Sequence, residues 1–312
     1  MSVLPLFDYF PQVLRTILYK MPPNIRGELE EIRLRSQNPL LIRLRDGSFF
    51  VDRQGMLHKE AELGYVVTTS NINACFEQFT RSSAYAFVNE LTSGYITVEG
   101  GHRIGFCGKC AIMDGQVGAL KEVSSINVRV ARQIIGAADG VMDSVVRDGC
   151  VRNVLIISPP GCGKTTLLRD IARQLSNGFS GFDGVNVAIA DERSEIAASF
   201  QGIPQNDLGM RCDVMDACPK ARGIMMMLRS MAPDVIITDE IGTREDAAAI
   251  HEALNAGVCV IASAHGSSVE EVTRRTTLSD VIGVFDCFIV LSNRGGAHAV
   301  AEIRDGGDRD AG

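Results

Sequence analysis

The stretch ISPPGCGKTT, residues 157–166, decides how the chain is read. It lies between an apolar run at 153–157 and a helix-forming run, KTTLLRDIARQL, that starts at Lys164. A phosphate cradle needs a strand end, a turn whose backbone N–H groups point inward, and a helix that begins at once. All three are present in that order. The pattern G-x-x-x-x-G-K-[ST] is met except at its first position, where Ser158 stands in place of glycine. If that position must adopt a positive φ, serine costs on the order of 1 kcal/mol there. Pro159 and Pro160 lack N–H groups but pre-set φ and stiffen the entry. Gly161, Cys162 and Gly163 complete the turn, and Gly163 stands where a side chain would collide with phosphate. Lys164 can reach the β- and γ-phosphates, the Thr165 hydroxyl can ligate Mg²⁺, and Thr166 continues the first turn of the helix.

Working outward, residues 233–240, PDVIITDE, form an apolar run that ends in two acids, the form of a Walker B strand. Asp239 is the candidate for the Mg²⁺ shell and Glu240 for polarising an attacking water. Two more apolar runs end in polar groups: AIADERSE at 188–195 and ASAHG at 262–266. Ligands of open α/β sheets bind at the carboxyl ends of the strands, so these residues are expected to converge on the loop. Glu192 is a second candidate water activator, and His265 a candidate γ-phosphate sensor. The cofactors implied are ATP and Mg²⁺.

The second half of the chain alternates strand and helix, as a parallel sheet covered by helices does. Strands are predicted at 153–157, 186–190, 234–238, 258–262 and 287–291. Helices are predicted at 165–175, 219–231 and 244–255, the last closed by Gly257. The run Met225-Met226-Met227 reads as core filler on the middle helix. The first half mixes short strands with helices and reads as α+β. In EIRLRSQNPLLIRLR, residues 31–45, the alternation of arginine with leucine or isoleucine is that of a half-buried strand with a solvated face. A helix is predicted over 70–81 with Ser70 as its cap. The segment RIGFCGKCAIMDGQVGAL, 103–120, reads as short strands with turns. Cys107 and Cys110 within it have neither a strand-to-helix context nor a second ligand pair, so a redox or zinc site is not expected.

A net charge of −7, with no tryptophan and 6% aromatic residues, argues against direct nucleic-acid binding, which wants a basic stripe and stacking platforms. The opening MSVLPLFDYFPQVL has Asp8 and two prolines where a signal peptide needs an apolar run. The apolar runs elsewhere are of strand length. The expected location is cytoplasmic, and the nine cysteines read as free thiols.

Taken together, several stretches resemble the stage III sporulation protein AA family of endospore-forming bacteria, relatives of the type II and type IV secretion ATPases. They are EEIRLR at 30–35, GGHRIGFCG at 100–108, INVRVAR at 126–132 and the loop with TTLLRDIAR. DERSEIA at 191–197, the long run from Arg211 to Ile250, and AGVCVIASAHG at 256–266 complete the set. The chain departs from the family pattern at Ser158, Cys212 and Ala264, none of which removes a catalytic group. The resemblance implies an α/β fold: a RecA-like P-loop NTPase domain with a parallel-rich central sheet at 136–304. A smaller α+β N-terminal domain for assembly or docking is expected at 1–135, and a flexible tail at 305–312. It implies a homo-oligomer, a hexameric ring, in which arginines from outside the P-loop side complete the catalytic site. Arg103 is the first candidate, followed by Arg129, Arg132 and Arg229. The implied partners are membrane proteins of a secretion-like channel between mother cell and forespore. The chain would act from the mother-cell side and meet the membrane only through them. The rival readings are a RecA-type ATPase driven by nucleic acid and a nucleotide-binding scaffold that does not hydrolyse.

Overall fold

The computed structural model describes residues 3–80, 94–113, 116–275, 277–292 and 299–306. The chain divides into two units, Met1–Arg132 and Gln133–Gly312.

In the first unit the arginine–leucine alternation does what its period dictates. Strands β1 (Glu31–Arg35) and β2 (Leu41–Leu44) turn Ile32, Leu34, Ile42 and Leu44 inward and leave Arg35 and Arg43 exposed. With β3 (Gly47–Val51), β4 (Leu57–His58), β5 (Tyr95–Val98), β6 (His102–Met113) and β7 (Gln116–Arg129) they form one sheet. Its order is β4-β3-β2-β1-β7-β6-β5, with every neighbour antiparallel. The segment read as short strands with turns is instead a long two-stranded ribbon. Its register shifts at Cys107/Gly108, Lys109/Cys110 and Cys110/Ile112 interrupt the alternation that would have marked it. Helices α1 (Gln12–Lys20) and α2 (Thr69–Phe79) pack Leu14, Ile17, Leu18, Ile72 and Phe79 into the core of this sheet. The cap of α2 is Thr68, not Ser70. The Thr68 hydroxyl accepts from the Asn71 N–H, and the Asn71 side chain accepts from the Thr68 N–H, each at 3.1 Å. This reciprocal box outcompetes a lone serine one turn in. The predicted end of the helix at Arg81 lies outside the described residues.

The second unit holds β8 (Val154–Ser158), β9 (Val187–Asp191), β10 (Cys212–Asp216), β11 (Val235–Thr238), β12 (Cys259–His265), β13 (Cys287–Ser292) and β14 (Ala299–Asp305). The sheet order is β10-β9-β11-β12-β8-β13-β14, parallel throughout except for the β13–β14 hairpin. Helix α3 (Lys164–Asn177) covers one face, burying Leu167, Leu168, Ile171 and Leu175 against Val154 and Ile156. On the other face, α4 (Lys220–Ser230) and α5 (Arg244–Asn255) bury Ile224, Met227, Ile250 and Ala253 against Leu155 and Ile157. Strands flanked by helices on both faces need apolar residues at every position, which is why these runs show no alternation. Of the methionine triplet, Met227 alone is buried and Met226 is 52% exposed, so core filling explains one of the three. Asp305, expected to start a flexible tail, ends β14 and pairs with Cys287. Residues 307–312 of that expected tail lie outside the described residues.

Candidate functional site

The glycine loop joins β8 to α3 at the carboxyl edge of the parallel sheet. Ser158 is the last residue of β8, fully buried and paired in register with His265 of β12. It is not among the non-glycine residues with positive φ, so the expected turn strain does not arise. The left-handed positions are Gly161 at φ 75° and Gly163 at φ 90°, the latter capping α3. Both are glycine, which takes this conformation without the Cβ penalty. The Ser158 carbonyl accepts from the Gly266 N–H at 3.2 Å and from Lys164 Nζ at 3.1 Å, tying the loop to the segment after His265.

A cavity of about 450 Å³ opens above the loop. Pro160, Gly161, Gly163, Lys164, Thr165 and Thr166 form one side. Glu195, Asp239 and Glu240, from beyond the ends of β9 and β11, and Ser263 and His265 of β12 form the rest. Three residues of the predicted loop set do not line it. Ser158 is inside the sheet, Pro159 is half-buried, and Cys162 is 1% exposed and packs into the core with Leu167 and Leu168. Burial lowers the pKa of Lys164, while Glu240 and, more weakly, Cys162, Asp239 and Glu195 pull the other way.

Asp239 is 5% exposed, and burial pushes its carboxyl up to about 6. Lys220 opposes that rise, whereas Asp191 and Glu195 add to it. Glu240 follows at φ 35°, a left-handed value rare for a residue with a side chain. Its carboxylate accepts from Arg193 at 2.9 Å. Glu192 is exposed and does not line the cavity; Glu195, three residues on, does. Buried Asp191 explains this. Its carboxylate accepts the N–H groups of Glu195, Ile196 and Ala197 at 2.7, 3.0 and 2.8 Å, folding the segment back toward the loop. Arg169 of α3 holds the same segment from below, donating to the carbonyls of Ile196 at 2.7 Å and Glu195 at 2.8 Å. Sequence reading assigned no role to Glu195, Ser263, Lys220 or Arg169, although Glu195 and Ser263 lie in the strand-end runs expected to converge on the loop.

The donor set suits Mg²⁺ with a polyphosphate. Acidic side chains crowd a buried carboxyl that a cation would relieve, and the Thr165 hydroxyl stands at the helix N-terminus across the cavity. Among the described residues no three His, Cys, Asp or Glu side chains form a metal cage. Mg²⁺ does not require one, since it commonly takes one or two protein ligands, waters and phosphate oxygens.

None of the four arginine candidates is among the residues that line this cavity. Arg103, with Arg33, Arg35 and Arg129, lines a separate cavity of about 510 Å³ in the first unit, its guanidinium 4.8 Å from the Tyr95 ring centroid. Arg132 donates to the carbonyls of Gly27 and Leu29. Arg229 is exposed near the end of α4. All nine cysteines are free, with Cys107 and Cys110 exposed on β6. Among the described residues no helix is long and apolar enough to cross a membrane.

Comparison with known proteins agrees with this geometry. The family described as "Sporulation stage III, protein AA" matches residues 6–309. The chain is 40% identical over 300 residues to the stage III sporulation protein AA of Bacillus subtilis, covering 96% of this chain and 94% of that protein. Among solved structures, the ATPase DotB of Legionella pneumophila superposes with a TM-score of 0.57 at 17% identity, over 84% of this chain and 72% of that one. The pilus retraction motor PilT with bound ADP gives 0.54 at 14% identity, over 98% and 83%. At such identities the likeness shows the fold, which is the RecA-like fold of the secretion ATPases.

Proposed function

Because the chain belongs to the sporulation stage III, protein AA family, we propose that it hydrolyses ATP with Mg²⁺ to power a secretion-like channel between mother cell and forespore. The observation that carries this reading is the cavity itself. A glycine loop at a helix N-terminus and the acids of a buried strand end face each other across one space. Lys164 neutralises the β- and γ-phosphates, and Thr165 with Asp239 holds the metal. Mg²⁺ supplies charge neutralisation of the phosphates and a fixed geometry for in-line attack. Glu240 polarises the attacking water once Arg193 releases its carboxylate. Glu195 takes the role of second carboxylate that the sequence assigned to Glu192. His265, at the end of β12 and in register with Ser158, senses the γ-phosphate.

The chain works as a homo-oligomer, a hexameric ring, with Arg103 completing the site. It acts from the mother-cell cytoplasm through membrane proteins of the channel. Turnover of the purified chain tests the reading. Lys164→Ala is expected to lose nucleotide binding, and Glu240→Gln to keep binding and lose hydrolysis. Equal turnover in Glu240→Gln and wild type would refute the role of Glu240. Strict monomers with and without ATP would count against the ring. Turnover that requires DNA and falls steeply with salt would replace the channel motor with a nucleic-acid-driven ATPase.

A further inference from the structure

Lys220 is the first residue of α4 and is 6% exposed. A cation there faces the positive end of the helix dipole and loses its hydration, so neither helix stability nor burial accounts for it. Its ammonium is committed elsewhere. Nζ donates to the carbonyl of Glu240 at 2.8 Å and lies 3.9 Å from Asp239 Oδ1. The N–H of the same Glu240 donates to the hydroxyl of fully buried Ser263 at 2.9 Å. The carbonyl of Ser263 in turn accepts from the Ile241 N–H at 2.8 Å. Glu240 is thus held at both its N–H and its C=O, and it is the residue at φ 35°. A left-handed glutamate is disfavoured by about 1–2 kcal/mol and persists only where its surroundings impose it. The sign of φ also sets the direction in which Cβ leaves the backbone, and at φ 35° Glu240 lines the cavity.

We propose that Lys220 is a positioning residue for ATP hydrolysis. Anchored beside Asp239, it grips the Glu240 carbonyl and, with Ser263, holds Glu240 left-handed so that its carboxylate faces the attacking water. This rests on the ATPase reading above. Lys220 lines no part of the cavity, so it acts on turnover through Glu240 and not on nucleotide binding.

The test uses the full-length chain. kcat and KM for Mg-ATP, equilibrium binding of a fluorescent ATP analogue, and thermal melting are measured for wild type, Lys220→Met and Lys220→Arg. Lys220→Met should lower kcat about tenfold or more while KM and analogue affinity stay within about threefold. Lys220→Arg, which keeps the charge and the donors, should recover part of that loss. Wild-type turnover in Lys220→Met overturns the proposal, as does a loss of nucleotide affinity that matches the loss of turnover in either variant. If Lys220→Met does not fold, Lys220→Arg decides: a loss confined to kcat supports the proposal, and wild-type turnover or a matching loss of affinity overturns it. Absence of turnover in wild type overturns the ATPase reading and this proposal together, whereas an active wild type with an indifferent Lys220 overturns this proposal alone.

Discussion

Asp239→Asn should make the second unit more stable. The wild-type carboxyl is moved from its ordinary 3.8 up to about 6, mainly by burial, with Asp191 and Glu195 adding to the rise. At about 1.4 kcal/mol per pH unit, holding it ionised at pH 7 disfavours the folded state by roughly 3 kcal/mol. The sign follows from which state keeps the proton. Between pH 3.8 and about 6 the folded chain retains a proton that the unfolded chain has released. Wild-type stability therefore falls as pH rises through that window and levels off above it. The asparagine variant carries no such charge and leaves Lys220 bonded to the Glu240 carbonyl. Urea unfolding of both proteins, followed by circular dichroism from pH 4 to pH 7, measures the difference. It should be small near pH 4 and grow to about 3 kcal/mol in favour of the variant by pH 7. A variant less stable than wild type at pH 7, or a difference that does not change with pH, would refute the argument that burial and neighbouring acids dominate at Asp239.

Three further outcomes are expected. Glu240→Gly should relieve the left-handed conformation and raise unfolding free energy by about 1 kcal/mol, while turnover is lost; urea unfolding paired with an ATPase assay checks both. Thr68→Ala removes one arm of the box that starts α2 and should lower stability by about 1 kcal/mol, read by the same urea titration. Arg169→Met leaves buried Asp191 without a cation that interacts with it and the Glu195 and Ile196 carbonyls without their donor. It should cost about 3 kcal/mol, seen as a lower melting temperature.

What sequence reading recovers here, and what it misses, follows from where each residue's position is decided. Strands β8, β9, β11, β12 and β13 were legible because burial on both faces demands unbroken apolar runs. Strands β10 and β14 were not. Both lie at the sheet edges, where Asp213, Asp216, Glu302 and Arg304 interrupt the apolar runs and dilute the signal. That the glycine loop, Asp239, Glu240 and His265 meet at one cavity was legible because the carboxyl ends of the strands in such folds face one edge of the sheet. Glu195 could not be told from Glu192, since the choice rests on three N–H bonds to Asp191. Lys220 and Ser263 were invisible for a similar reason. Their role comes from meeting at one residue, Glu240, 20 and 23 residues away in the chain, which no local pattern encodes.

The extended conformation of Ser158 bears on how phosphate loops are defined. The first letter of the pattern is usually taken as a demand on backbone freedom. In this chain that position is a sheet rung between β12 and the loop, and its requirement is room: a side chain small enough for a fully enclosed slot beside His265. Freedom at positive φ is needed only three and five residues later, at Gly161 and Gly163. A search that insists on glycine at the opening letter therefore rejects loops like this one on a criterion of shape that the chain does not use. Admitting any small residue there, and keeping the two later glycines strict, would match the geometry better.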